Sequence, residues 1–401
     1  MLQDVNRCRR RNPVLRLQDP ATRTYLGSPS LARLPSGDLL ATHDYFGPGC
    51  PMNHEGEEHL TSVYRSSDNG RTWRNLTHLA NAYWSTLFVH EGAVFLLGVT
   101  QRYGSIVIRR SDDGGNTWTH PRDETCGLLF RGGPGRTPPS YHGAPVPVLL
   151  HQGRLYRAFE DYRPDNPACD WTAAGFQALA VSCPADADLL RADAWTMSNR
   201  LPFDPAWVPA AWGRLQAPGW LEGNLVAATD HTLRNIIRLN GNPACWDRAA
   251  MLTLSGDGRH LAFDPSTGFL EFPGGHTKFT IRRDPVDGGY LTVSNGNLDP
   301  RAPTNRSVLS LYRSRDLRHW QWAGMLLQHD ADMPRETAFD QIGFQYADWQ
   351  IDGEDLILLV RTAADGAHNF HDSNQITFHR IRRFRRLTGK PPTPPTPSGP
   401  S

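Results

Sequence analysis

The chain has 401 residues, room for one large core or two domains. Its 42 Lys and Arg nearly cancel 41 Asp and Glu, which argues against a general nucleic-acid or membrane-surface role. No stretch of about 18 apolar residues occurs, so no segment reads as a membrane span, while 36 Gly, 32 Pro and 12 Trp mark a turn-rich β protein.

Residues 1–19 form an N-terminal segment. Met1 to Asn12 is polar and basic with no apolar run behind it, so it carries no secretory signal. Six short apolar runs then follow Gly or acidic turns, beginning at Gly37, Gly92, Gly153, Leu233, Gly289 and Asp355. Each reads as a buried strand bounded by turn signals. Between the first three lie two matching octapeptides, Ser66 to Trp73 and Ser111 to Trp118, which both fit S-x-D-x-G-x-T-W and start 45 residues apart. A degenerate third copy has Ser314, Asp316 and Trp320 without the glycine. Asp and Ser side chains can hold such a turn through nearby amides, Gly supplies the unusual backbone angle, and Trp brings a large apolar area. Residues 185–194 are the one short helix candidate, and 202–218 read as an ordered loop. The basic cluster 380–386 reads as a solvated final strand, and 387–401 as a disordered Pro-rich tail.

A period in the forties is the length of one four-stranded propeller blade, and the octapeptides resemble the Asp boxes of sialidase-like β-propellers. The expected fold is therefore all-β, a propeller over residues 20–386. The six apolar runs are taken as the strands nearest the axis. Their ends gather His43, Gln101 with Tyr103, Arg157 with Glu160, Arg238, Asn295 and Arg361. Several guanidinium groups at one mouth suit an anionic ligand, because they bind carboxylates bidentately.

Longer phrases carry a second resemblance. They are Thr42 to Gly47, Tyr83 to Phe88, Tyr103 to Arg110, Tyr141 to Pro147, Arg157 to Asp161, Phe344 to Trp349 and Ala367 to Asn374. The chain is similar to the seven-bladed propeller lyases that include L-rhamnose-α-1,4-D-glucuronate lyases and ulvan lyases, some first described as α-L-rhamnosidases. That resemblance implies seven blades; the count of six apolar runs leaves six as the alternative. It also implies an acidic oligo- or polysaccharide substrate, cleaved by β-elimination at a glucuronate linked to rhamnose. It points to a secreted or periplasmic protein, although no signal peptide is read in the chain.

Elimination needs a cation to neutralise the carboxylate, a base for the adjacent proton and an acid for the departing oxygen. By resemblance Tyr141 and Arg157 are the catalytic pair, with His43 as a third candidate. A nearby guanidinium would lower the Tyr141 hydroxyl from its ordinary value near 10. Tyr83, Tyr103, His142, Arg238 and Arg361 are substrate-binding candidates. Tyr83 and Tyr103 depart from the family pattern, which has histidines there, so neutralisation would shift to Arg157, Arg238, Arg361 or His142.

No cofactor is required. His368, His371, Asp372 and His379, with Cys245 and His276, leave a structural zinc or calcium open. The six cysteines, Cys8, Cys50, Cys126, Cys169, Cys183 and Cys245, lack CxxC spacing. Two alternatives to a lyase stay open. One is a glycoside hydrolase of sialidase or α-L-rhamnosidase type, with Glu160, Asp161, Glu222 and Glu336 as available carboxylates. The other is a non-catalytic glycan-binding propeller.

Overall fold

The computed structural model describes residues 13–50, 59–165, 171–242, 246–296, 298–299, 302 and 304–388. Six antiparallel sheets follow one another along the chain. The first blade is Tyr25–Arg33, Leu39–Phe46, Leu60–Ser66 and Arg74–Ala80. The second is Tyr83–His90, Ala93–Val99, Ile106–Ser111 and Leu128–Phe130. In the third, Tyr141–His142 and Leu149–His151 pair with Arg154–Tyr162, which pairs with Phe176–Pro184. The fourth begins Gln216–Ala227, Leu233–Asn242 and Arg248–Leu254; the fifth is Thr280–Arg283, Tyr290–Ser294, Val308–Ser314 and Gln321–Gln328. The sixth runs Gly343–Asp352, Asp355–Ala363 and Gln375–Ile381.

The propeller thus has six blades, the alternative that the six apolar runs allow, and not seven. The N-terminal strand Val14–Leu17 is no separate element. It pairs with Gln375–Ile381 as the outermost strand of the sixth sheet and so closes the ring. The propeller therefore begins before residue 20, and the 387–401 tail lies almost wholly outside the described residues.

The six apolar runs also sit one place further out than expected. They are the second strands of their sheets; the strands that begin each blade lie nearest the axis. The reason is burial. A second strand such as Asp355–Ala363 is covered on both faces by neighbouring blades, so it reads as a continuous hydrophobic run. The axial strand Gly343–Asp352 instead mixes Phe344, Trp349 and Ala347 with Gln345, Tyr346 and Asp348.

Polar side chains bind the axial strands together. Asp348 accepts from Ser30 Oγ (3.0 Å), the Leu31 amide (2.8 Å), the Trp349 amide (2.9 Å) and Arg282 (2.9 Å). Ser30 Oγ in turn accepts from the Leu87 amide at 2.9 Å. One carboxylate and one hydroxyl thereby join four blades around the axis.

The octapeptides form hairpin turns between third and outermost strands. Asp68 accepts from Ser66 (2.8 Å) and from the Thr72 amide and hydroxyl (2.9 and 2.6 Å), and Asp113 repeats the pattern with Ser111 and Thr117. Gly70 and Gly115 take φ of 85° and 97°; in the third copy Leu317 takes 65°. Trp73 packs on Phe378 of the sixth blade and Trp320 on Phe272 of the fourth, so these rings seal blade against blade.

Residues 185–194 do not form the expected helix. Asp188 accepts from the Leu190 amide and holds a turn, leaving only the 3-10 turn Ala192–Ala194. Among the described residues the α-helix is Arg335–Gln341. In the basic cluster, Arg380 pairs with Asp352 and Asp355, and Arg385 with Asp284. Among the described residues no helix is long and apolar enough to cross a membrane.

Candidate functional site

The axial strands break their ladders at equivalent points. Pairing slips between Gly27 and Ser30, Tyr83 and Thr86, Leu221 and Asn224, and Gln345 and Asp348. Inside each slip a residue with a side chain adopts left-handed backbone: Ser28 at φ 36°, Trp84 at 46°, Glu222 at 62° and Tyr346 at 53°. Such bulges re-aim side chains, and left-handed non-glycine residues persist only where the surroundings enforce them. All four line one axial cavity of about 690 Å³.

The cavity is cationic. Among its described lining residues Arg102, Arg238, Arg306 and Arg361 face one carboxylate, Glu222. Arg238 Nη1 lies 2.8 Å from Glu222 Oε2, and its Nε donates to the His276 carbonyl at 2.7 Å. Arg306 donates to Gln345. Arg361 donates to the His371 carbonyl (2.5 Å) and Ser373 (3.1 Å), and its guanidinium lies 5.0 Å from the Tyr346 ring centre. At the centre the Tyr346 hydroxyl donates to Glu222 Oε1 at 2.8 Å.

The electrostatics fit a neutral phenol beside an ionised carboxylate. Burial pushes Glu222 up, but Arg238, His142 and the hydrogen bond from Tyr346 outweigh it and hold the carboxyl below its ordinary value. Burial first, and the Glu222 charge next, raise the Tyr346 hydroxyl. Burial lowers Arg306 to about 10, so a carboxylate entering the cavity would replace lost solvation.

Of the residues singled out from sequence, Tyr83, Tyr103, His142, Arg238 and Arg361 line this cavity. Tyr141, Arg157 and His43 do not line it. The guanidinium beside the Tyr141 hydroxyl is Arg200, at 3.2 Å, rather than Arg157. Burial raises the Tyr141 hydroxyl despite Arg200, the reverse of the expected lowering. Arg157 is fully buried and donates to the carbonyls of Leu97, Trp84 (3.0 Å) and Ala144 (2.9 Å). It braces the Trp84 bulge from behind. His43 is buried against Asp44 and Tyr64, and burial lowers it to about 4, so it stays neutral.

Glu222 enters the sequence reading only as one of several carboxylates, Tyr346 only as part of a phrase, and Arg306 not at all. Arg306 lies just before Val308–Ser314, outside any apolar run. The remaining signal was the FQYADW phrase, whose polar residues interrupt an otherwise apolar strand.

Among the described residues no group of three or more His, Cys, Asp or Glu side chains is placed to hold a metal. His368 and His371 each turn Nδ1 to Asp372, at 2.7 and 2.9 Å. Cys245 lies outside the described residues; Cys50, Cys126 and Cys183 are free thiols.

No protein-family model matches the sequence, and no curated protein matches it. Solved structures do. An α-L-arabinanase from Penicillium chrysogenum, complexed with arabinobiose, superposes with TM-score 0.56 at 15% identity, over 94% of this chain and 99% of that one. The α-L-arabinofuranosidase Arb93A from Fusarium graminearum gives 0.54 at 14%, over 92% and 97%. The intramolecular trans-sialidase from Ruminococcus gnavus, in complex with oseltamivir carboxylate, gives 0.53 at 13%, over 94% and 98%. At these identities the likeness establishes the fold, a sialidase-like β-propeller.

Proposed function

We propose that the chain is a glycoside hydrolase that acts on a carboxylate-bearing sugar, with Tyr346 as nucleophile and Glu222 as its base. The carrying observation is the 2.8 Å Tyr346–Glu222 hydrogen bond beneath Arg238, Arg306 and Arg361. Three guanidinium groups would fix the sugar carboxylate. A carboxylate nucleophile would be repelled by such a sugar, whereas a phenol approaches uncharged. Tyrosine nucleophiles are the known exception among glycosidases for this kind of substrate. Glu222 takes the phenolic proton as the oxygen attacks the anomeric carbon, and water later hydrolyses the tyrosyl intermediate. Fold neighbours named arabinanase, arabinofuranosidase and trans-sialidase support a glycan substrate.

The second reading is β-elimination at a glucuronate linked to rhamnose. The same guanidinium cluster favours it, because it would stabilise the enolate formed beside the carboxylate. Incubation with sialosides, glucuronides and rhamnose–glucuronate oligosaccharides decides between them. Hydrolysis releases a saturated reducing sugar, and Tyr346→Phe stops it. An ultraviolet-absorbing unsaturated uronyl product would overturn hydrolysis in favour of elimination. Binding without either product would leave a glycan-binding propeller.

A further inference from the structure

Resting on the hydrolase reading, we infer that His142 is the proton donor to the departing sugar oxygen, with Glu160 as its positioning residue. Cleavage needs an acid for the leaving oxygen, and Glu222, the cavity's one described carboxylate, is already engaged with Tyr346. His142 lines the same cavity, directly across the strand pair from Glu160. Its Nδ1 lies 2.7 Å from Glu160 Oε2, so the proton on Nδ1 points to that carboxylate and Nε2 is the nitrogen left to the cavity. The ring is wedged against Trp84 and Phe176, at centroid distances of 4.3 and 4.7 Å, which fixes its direction.

Glu160 is 1% exposed, and its second oxygen accepts from the amides of Glu222 (2.7 Å) and Gly223 (3.2 Å). One buried carboxylate therefore holds both the imidazole and the bulge that carries Glu222. This ties the donor's position to the base's. Nothing in the second-strand burial of Glu160 requires an imidazole opposite; a backbone amide or a hydroxyl would satisfy it.

Two other imidazoles line the cavity among its described residues: His59, whose Nε2 accepts from the Arg102 amide at 3.4 Å, and His371, which is also held by an aspartate. The His371 Nε2, however, lies 3.3 Å from Arg361 Nη2. That nitrogen faces a permanent cation, where an added proton is opposed. Burial and Arg361 accordingly lower His371 to about 4.

The step balances. The Tyr346 oxygen bonds to the anomeric carbon while the glycosidic bond breaks. Its electron pair stays on the leaving oxygen, which takes the proton from His142 Nε2. The neutral imidazole then takes a proton from water as that water bonds to the anomeric carbon, and the phenolate recovers its proton from Glu222.

The test compares leaving groups. Paired glycosides of N-acetylneuraminic acid and of glucuronic acid carry either para-nitrophenol, which departs without a proton, or lactose, which needs one. His142→Gln should lose roughly 10²- to 10⁴-fold in kcat/KM on the lactose-linked sugar but under about tenfold on the nitrophenyl one. Glu160→Gln should shift in the same direction. Equal losses on both substrates, or none on either, would overturn the assignment. Should the variants fail to fold, the wild-type protein still decides: its kcat/KM should differ little between the two leaving groups, and a steep preference for nitrophenol would overturn it. Tyr346→Phe separates the two levels, since full activity in that variant rejects the hydrolase reading itself.

Discussion

The rim turns and the axial bulges both rely on left-handed backbone, but they fill it differently. At the rim, Gly70 and Gly115 occupy it at no steric cost, and the side chains around them, Asp68 and Asp113, serve only the turn. At the axis, Ser28, Trp84, Glu222 and Tyr346 occupy it with side chains attached. Those residues are held there from outside: Asp44 accepts from the Trp84 amide (2.9 Å), Arg157 caps the Trp84 carbonyl, and Glu160 accepts from the Glu222 amide. The rim uses its unusual backbone to make a turn. The axis uses it to aim functional groups, and draws the restraint from neighbouring blades.

The largest expected effect separates aim from stability. Tyr346→Phe should lower kcat/KM roughly a thousandfold or more and leave the melting temperature within a few degrees. A variant that loses activity only in proportion to unfolding would show that the bulge residue is structural.

Next comes Asp44, which supports the Trp84 bulge. Burial raises it from 3.8 to about 7. The folded chain thus keeps a proton that the unfolded chain releases, so this contribution to stability is whole below pH 3.8 and is lost as pH rises through about 7. Asp44→Asn should remove the decline, worth up to about 4 kcal/mol across that window. Urea unfolding of both proteins across the window checks it. A stability gap between them that does not widen with pH would refute the assignment.

Asp348→Ala should cost about 3 kcal/mol, because it strips four donors from the axis and leaves Arg282 without its carboxylate. The shift in urea midpoint measures it. The smallest effect belongs to the rim. Gly70→Ala would place a methyl 2.2 Å from the Phe378 ring at a φ of 85°, for about 2 kcal/mol of destabilisation and no change in KM. A changed KM would mean that rim and axis are coupled.

The rim was legible because its chemistry is local. Ser66, Asp68, Gly70 and Thr72 bond to one another within five residues, so their spacing repeats wherever the turn recurs. The second strands were legible too, but their uniform burial disguised them as axial strands. That displacement explains the mixed outcome for the site. Arg238 and Arg361, held by the His276 and His371 carbonyls, reach the cavity from a second strand. His43 and Arg157, on the same kind of strand, stay in the packing between blades.

The sequence by itself determined an all-β propeller, because turn chemistry and strand burial act between residues near in the chain. It also marked a cation-rich mouth and several of the side chains around it. Only the tertiary structure decided the blade number, since ring closure rests on pairing Val14–Leu17 with a strand more than 350 residues away. It alone decided that Tyr346, Glu222 and three arginines meet, because the bulges that aim them are enforced by contacts between blades and leave no local pattern in the chain.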